Sequence, residues 1–244
     1  MMLRTVRSPT AEGFCTQKLS AVLQDPDLTA EVARCFTAIF SDRGRGEPAE
    51  DWEVETVRRK LFLAPAPDAE RSYLTTWRLG GVVAGLCLTY FDRVGRSFRL
   101  SDLPPGSRDQ ATLDIVLAKL VEAAGADSLL IQYREMGIRR EFRRGLDPVL
   151  PLIMGPGEPP HRAGAEYVAF WTSSRSRLYP ILVGLGLHPI HRFGDAAGNR
   201  LMFGSAALMQ RRLSRPAWLI KTMIAGRLGL LKVGSVIHRL GRDR

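Results

Sequence analysis

Apolar residues recur at spacings of three and four over two stretches near the start of the chain. In "DPDLTAEVARCFTAIFSD", Val32, Cys35, Phe36, Ile39 and Phe40 share one helical face, with Thr29 able to cap the first turn. The pattern predicts an amphipathic helix broken by "RGRGEPAE". "DWEVETVRRKLFLA" repeats the spacing at Trp52, Val54, Val57, Leu61 and Phe62, which predicts a second helix ended by "PAPDAE". The period then drops to two. Tyr73, Thr75 and Trp77 alternate, Gly80-Gly81 marks a tight turn, and "VVAGLCLTYF" is apolar and β-rich, so residues 72–92 are expected to form a hairpin. "GRSFRLSDL" is read as a further short strand, and Pro104-Pro105-Gly106 closes the meander.

The helical period returns in "DQATLDIVLAKLVEAAGAD", where Leu113, Val116, Leu117, Leu120 and Val121 share a face and Gly125 supplies the stop. "SLLIQYREMGI" then reads as a strand, and "DPVLPLIMG" as a short helix with Asp147 at its cap and Pro148 at its first position. "AEYVAFWTS" is a buried strand, with Phe170 and Trp171 expected on opposite faces of the sheet. "SRSRLYPILVGLG" is a helix begun by Ser173 or Ser174, and "HPIHRFGDAAGNRLMFGS" a closing hairpin turning at Gly198-Asn199. Strands and helices therefore interleave. The expected fold is one α/β (α+β) domain over residues 29–204 with a mixed central sheet flanked by helices, after an N-terminal extension 1–28 and before a tail 205–244.

Charge changes this picture at one end. The chain of 244 residues carries a net charge of +10. Residues 205–244 hold nine lysines or arginines against the single acid Asp243, so most of the excess belongs to the tail. The body has no basic surplus that would suit nucleic acid as a partner. Cys15, Cys35 and Cys87 lack paired or metal-type spacing and read as small core residues in a reducing compartment. His161, His188, His191 and His238 lack the spacing of a metal site, so no metal is expected. The basic start has no apolar core of signal-peptide length after it, which suggests a cytoplasmic protein.

The chemistry-bearing stretch is "EMGIRREFRRGLDP", residues 135–148, a cluster of arginines at the end of a buried strand. Strand, Arg/Gly turn and helix start in that order suit a phosphate-bearing ligand, since guanidinium groups give charge-assisted hydrogen bonds to phosphate oxygens. A solvated strand end is the alternative reading of the same residues.

Together, "VVAGLCLTYF", "REMGIRREFRRGL" and "AEYVAFWTSSRSRLYPILVGLGLHPIHRF" resemble the Gcn5-related N-acetyltransferase superfamily over roughly residues 30–204. In that family a strand ending in an acid is followed by a "V-x-x-x-x-R-G-x-G" turn, a helix, a strand and an "L-Y-x-x-x-G-F" helix. The helix over 111–124 placed before "YREMGIRREFRR" further resembles acyl-homoserine-lactone synthases and long-chain N-acyl amino acid synthases. The resemblance implies an acyltransferase taking acyl-CoA or acyl-acyl-carrier-protein as donor and an amine-bearing small molecule as acceptor. It implies catalytic roles for Glu135, as base, and Tyr179, as acid for the departing thiolate. It also implies donor binding by Met136, Gly137, Ile138, Arg140, Arg143, Arg144 and Gly145. Asp147 stands where the family has a second glycine, Met136-Gly137 where it has Ser-Arg, and Tyr179 lies seven residues from Gly186 rather than about four.

In "RPAWLIKTMIAGRLGLLKVGSVIHRLGRDR" the cations Lys221, Lys232 and Arg239 fall on one side of a helix and Trp218, Leu219, Met223, Leu230, Val236 and Ile237 on the other. Residues 216–240 thus read as a basic amphipathic helix that packs on the body, lies on an anionic membrane surface from the cytoplasmic side, or meets an acidic partner such as acyl carrier protein. A non-catalytic module of the same fold, binding anionic lipid or protein through this tail, is the rival to catalysis.

Overall fold

The computed structural model describes residues 12–40, 54–59, 62, 66–143, 147–154, 164–174, 176, 178–215, 219, 220 and 222. Seven strands form one sheet: β1 (Gly13–Lys18), β2 (Ser72–Leu79), β3 (Val82–Arg93), β4 (Leu129–Ile138), β5 (Tyr167–Ser173), β6 (His188–Arg192) and β7 (Asn199–Ser205). Their spatial order is β1-β2-β3-β4-β5-β7-β6. Every neighbouring pair is antiparallel except β4 and β5. The expected mixed sheet flanked by helices is present, with the hairpin, the strand over 128–138 and the strand after it in adjacent positions.

The helices are α1 (Leu19–Leu23), α2 (Pro26–Phe40), α3 (Val54–Arg58), α4 (Gln110–Ala124), α5 (Val149–Met154), α6 (Leu178–Leu185) and α7 (Ala206–Leu213). One face of the sheet, face A, carries two apolar clusters. Residues of α1, α2 and α3 pack there on Leu74, Val83, Leu86 and Leu88, and residues of α4 pack on Leu130, Ala169, Leu201 and Phe203. On the opposite face, face B, residues of α5, α6 and α7 enclose Cys87, Ile131, Tyr133, Val168, Phe170 and Met202. Alternation along each strand produces this division. Phe170 and Trp171 accordingly stand on opposite faces.

Several local expectations are corrected. Thr29 does not cap α2: it is buried inside the helix and its hydroxyl donates to Val22 O. The helix starts at Pro26, and Asp25 Oδ1 accepts from the Leu28 N–H at 2.9 Å, because Asp-Pro supplies both the acceptor and a residue suited to the first helical position. "GRSFRLSDL" forms no strand but two 3-10 turns, Val94–Arg96 and Leu100–Asp102. α5 begins at Val149, after Asp147 and Pro148 rather than at them. α6 begins at Leu178, later than Ser173 and Ser174; Ser173 still belongs to β5, and Ser176 Oγ accepts from the Leu178 N–H. The closing hairpin pairs β6 with β7, and its turn is longer than two residues, running to Gly198 at φ +64°.

Three elements carried no sequence signal. β1 and α1 lie in the stretch read as an extension, and β1 completes the sheet edge against β2. α7 follows β7 directly, with Ser205 Oγ accepting from the Leu208 N–H and Met209 and Leu213 in the face B core. Each is too short for a period to stand out, and tertiary contacts fix it. Of the second predicted helix, Val54–Arg58 is α-helical, and Val57 is buried.

Candidate active site

β4 and β5 run side by side only at their beginnings. They pair from Leu130 with Tyr167 to Tyr133 with Phe170, and no further. Beyond that point β4 continues to Ile138, paired with β3 alone, and β5 continues to Ser173, paired with β7. Two parallel strands in the middle of a sheet therefore part at their C-terminal ends. The parting coincides with an irregularity in β4. Tyr133 pairs with Thr89 and Glu135 with Leu88, so Arg134 is an extra residue, and such a bulge bends and twists its strand.

The bulge also sets which side chains reach which face. Glu135 is opposite Leu88 and Gly137 opposite Leu86, both face A positions, while Met136 and Ile138 pair with Cys87 and Gly85 on face B. Gly137 is required by packing. A Cβ there would overlap Ile39 Cγ2 of α2, so the arginine that the resembled motif carries at this position has no room. A Cβ on Gly85 would be less crowded, in tight contact with Ile138 and Leu152 at 3.1 Å each.

After β4 the chain makes a 3-10 turn, Arg140–Phe142, that folds back over face B. Phe142 meets Trp77 edge to face at 6.3 Å, and Trp77 stacks on Phe14 at 5.7 Å. The arginines have separate tasks. Arg139 pairs with Glu141 at 2.6 Å and lies 5.6 Å from the Phe142 ring centre. Arg143 Nε donates to Ile138 O at 2.8 Å, which ties the turn to the end of the strand. Arg140 is exposed. Arg144 and Gly145 lie outside the described residues.

Tyr179 is in the first turn of α6, on face B, half-buried against the core. Glu135 and Tyr179 thus stand on opposite faces at the same end of the parted strands. Arg200 of β7 lies over the Tyr179 ring, 5.7 Å from its centre.

On face A the mouth of the opening is bordered by a buried polar network that the sequence reading missed. Arg134 Nε is 3.3 Å from Asp102 Oδ1, each side chain only 8% exposed, and the guanidinium lies 4.2 Å from the Tyr90 ring centre. Burial pushes the Asp102 carboxyl above its ordinary range, against the pull of Arg134 and the Arg99 N–H. Asp102 O also accepts from Trp171 Nε1 at 2.7 Å, linking the turn to β5. Tyr90 in turn donates to Asp92, which also receives Arg71 at 2.8 Å and Arg96 at 3.4 Å. Gln132 and Arg134, polar interruptions at alternate positions of an apolar strand, were the available signal. Asp102 in a loop gave none.

The remaining candidates are structural. Cys35 and Cys87 are buried; burial alone lifts the Cys87 thiol, and burial first, with Glu31 and Glu141 acting against Arg139, pushes that of Cys35 up to about 12, so neither is a ready nucleophile. Among the described residues no group of His, Cys, Asp and Glu could hold a metal ion. His188 and His191 make edge contacts with Phe203 and Phe193. No described helix is long and apolar enough to cross a membrane.

No protein-family model matches the sequence, and no curated protein matches it. Among solved structures, the chain is similar to an agmatine N-acetyltransferase mutant in its apo form, at 12% identity and TM-score 0.49 over 80% of this chain and 100% of that one. It is similar to the Drosophila melanogaster polyamine N-acetyltransferase that catalyses formation of N-acetylagmatine, at 12% identity and TM-score 0.47 over 79% and 99%. It is also similar to TofI in a ternary complex with an inhibitor and MTA, at 14% identity and TM-score 0.48 over 81% and 96%.

Proposed function

We propose that the protein is an acyltransferase of the Gcn5-related type, moving an acyl group from an acyl-CoA or acyl-carrier-protein thioester to an amine. The observation that carries this reading is the parting of β4 from β5 beyond Tyr133 and Phe170. Backbone donors and acceptors at a buried strand edge require partners, and the amides of an extended pantetheine arm would supply them along Met136, Gly137 and Ile138. The sequence resemblance described above supports the same assignment.

In this reading the amine approaches from face A, where Glu135 takes its proton directly or through water. The nitrogen attacks the thioester carbon, and a backbone N–H at the strand edge stabilises the oxyanion. Sulfur leaves toward face B and is protonated by Tyr179, a phenol being able to give its proton to an alkyl thiolate. Arg140, with Arg144 and Gly145 by the sequence resemblance, meets the anionic part of the donor, and Arg143 holds the turn that carries Arg140. The sequence resemblance to acyl-homoserine-lactone and long-chain N-acyl amino acid synthases favours a long acyl chain over acetyl.

Calorimetric titration with decanoyl-CoA tests the assignment. The wild-type chain is expected to bind, and Arg140→Ala with Arg144→Ala to weaken binding by about 2 to 4 kcal/mol, at roughly 1.5 to 3 per charged hydrogen bond with incomplete additivity. Absence of binding to decanoyl-CoA and to decanoyl acyl carrier protein alike would reject it.

A further inference from the structure

One corner of face B holds positive charge that no described carboxylate balances. Arg200 on β7 is opposite Thr172 on β5 and opposite Arg192 on β6. Directly paired residues share a face, so the two guanidinium groups stand on neighbouring strands on the side that carries α6. Like charges opposite one another destabilise a strand pair. Arg192 is exposed at the last strand of the sheet, where water screens it. Arg200 is half-buried, and its Nε is buried without a hydrogen-bond partner among the described residues. Among the described residues, its guanidinium meets the Tyr179 ring at 5.7 Å.

A half-buried cation with no carboxylate beside it among the described residues is costly unless negative charge arrives during function. The place where it waits is the face of the phenol at the parted end of β4 and β5. A cation within about 6 Å of a ring centre is attracted to it even when the ring is neutral, and a phenolate attracts it more strongly. Guanidinium suits this position because it stays protonated and is weakly hydrated.

We propose that Arg200 is a supporting residue of the transfer step, a fixed positive charge that stabilises negative charge as it passes from the leaving sulfur to Tyr179. The inference rests on the acyltransferase reading. The C–N bond forms and the C–S bond breaks, and the thiolate takes the Tyr179 hydroxyl proton. The phenolate so formed lies beneath Arg200 until it regains a proton from the one released by the amine nitrogen. No oxidant, reductant or metal enters the balance.

The dependence on leaving group distinguishes this role from a structural one. Hydroxylamine serves as the amine and decanoyl-CoA as a donor whose alkyl thiolate needs a proton. The decanoyl thioester of 4-nitrothiophenol serves as a donor whose thiolate departs without one. With decanoyl-CoA, Arg200→Met is expected to lower turnover about tenfold and Tyr179→Phe about a hundredfold, with Arg200→Lys recovering part of the loss. The double variant is expected to be no slower than Tyr179→Phe alone. With the aryl thioester all of these variants are expected within about twofold of wild type, an outcome that also shows them folded.

Three results overturn the role of Arg200. One is undiminished turnover of decanoyl-CoA by both Arg200→Met and Arg200→Lys. Another is an equal loss on both donors, which would make the residue structural or a donor-binding group. The third is full multiplication of the two single losses in the double variant. If the wild-type chain transfers decanoyl from neither donor, the acyltransferase reading falls together with the inference. Transfer by the wild type with any of the first three results removes the inference alone.

Discussion

Gly137 shows how one missing methyl group joins two elements. Its Cα faces Ile39 so closely that α2 rests directly on the backbone of β4 beside Glu135. Gly137→Ala is expected to cost about 1 to 3 kcal/mol in urea denaturation through overpacking, and clearly less in an Ile39→Ala background where Cγ2 is absent. Asp92 illustrates charge at the same scale. Burial alone would raise its carboxyl, but the Arg93 N–H, the Tyr90 hydroxyl and the Arg71 and Arg96 guanidinium groups hold it below the ordinary range. A carboxyl depressed in the folded state gives stability that is full above its unfolded value of about 3.9 and is lost as pH falls through the folded one. Asp92→Asn should therefore lower the urea midpoint at pH 6 and narrow its gap from wild type at pH 3. An unchanged gap would show that Asp92 titrates alike folded and unfolded.

Among elements, the 3-10 turn Leu100–Asp102 matters beyond its three residues. It is tied to β4 through Asp102 and Arg134 and to β5 through the Trp171 indole, so it spans the two strands that part. Removing one partner of a buried pair leaves the other charge without compensation, typically costing about 3 to 5 kcal/mol. Asp102→Asn is expected near the low end, since burial already weakens the carboxylate. Arg134→Met combined with Asp102→Asn should recover much of the loss in chemical denaturation. Additive losses would mean that the two side chains act independently. The helix α6 depends on a weaker start, Ser176 Oγ accepting from the Leu178 N–H at 3.2 Å, and it presents Tyr179 in its first turn.

For the molecule as a whole, the asymmetry of charge remains the feature with most bearing on where it works. The described part of the tail begins on the protein, since Ile220 is buried in the face B core; residues 223–244 lie outside the described residues. Our reading of 216–240 as a surface-seeking helix predicts that the full chain sediments with anionic vesicles at low salt and is released at high salt, because each cation near the surface contributes about 1 kcal/mol and salt screens it. A chain ending at Thr222, which keeps Ile220 in place, should stay in the supernatant. Equal sedimentation of the two would leave the tail to an acidic protein partner or to the body itself.

The longer elements follow from the amino-acid pattern alone. The periods of two and 3.6 identified β2 to β5 and α4 because each must bury one side of a regular element, and the same signal placed the arginine turn at the end of β4. Helix starts were misread at Thr29 and Ser173 because a capping side chain is useful only where the backbone already turns, which the neighbouring Asp-Pro and Ser176 decide. β1, α1 and α7 were invisible, each being short and held by its neighbours. Of the candidate site, Glu135 and the strand edge were legible as a motif, while their assignment to faces was not, since the bulge at Arg134 shifts the alternation by one residue. The parting of β4 and β5, the Asp102–Arg134 pair and the Arg200–Tyr179 stack join residues far apart in sequence. No local pattern encodes such distances, and only the closing of the sheet brings these groups together.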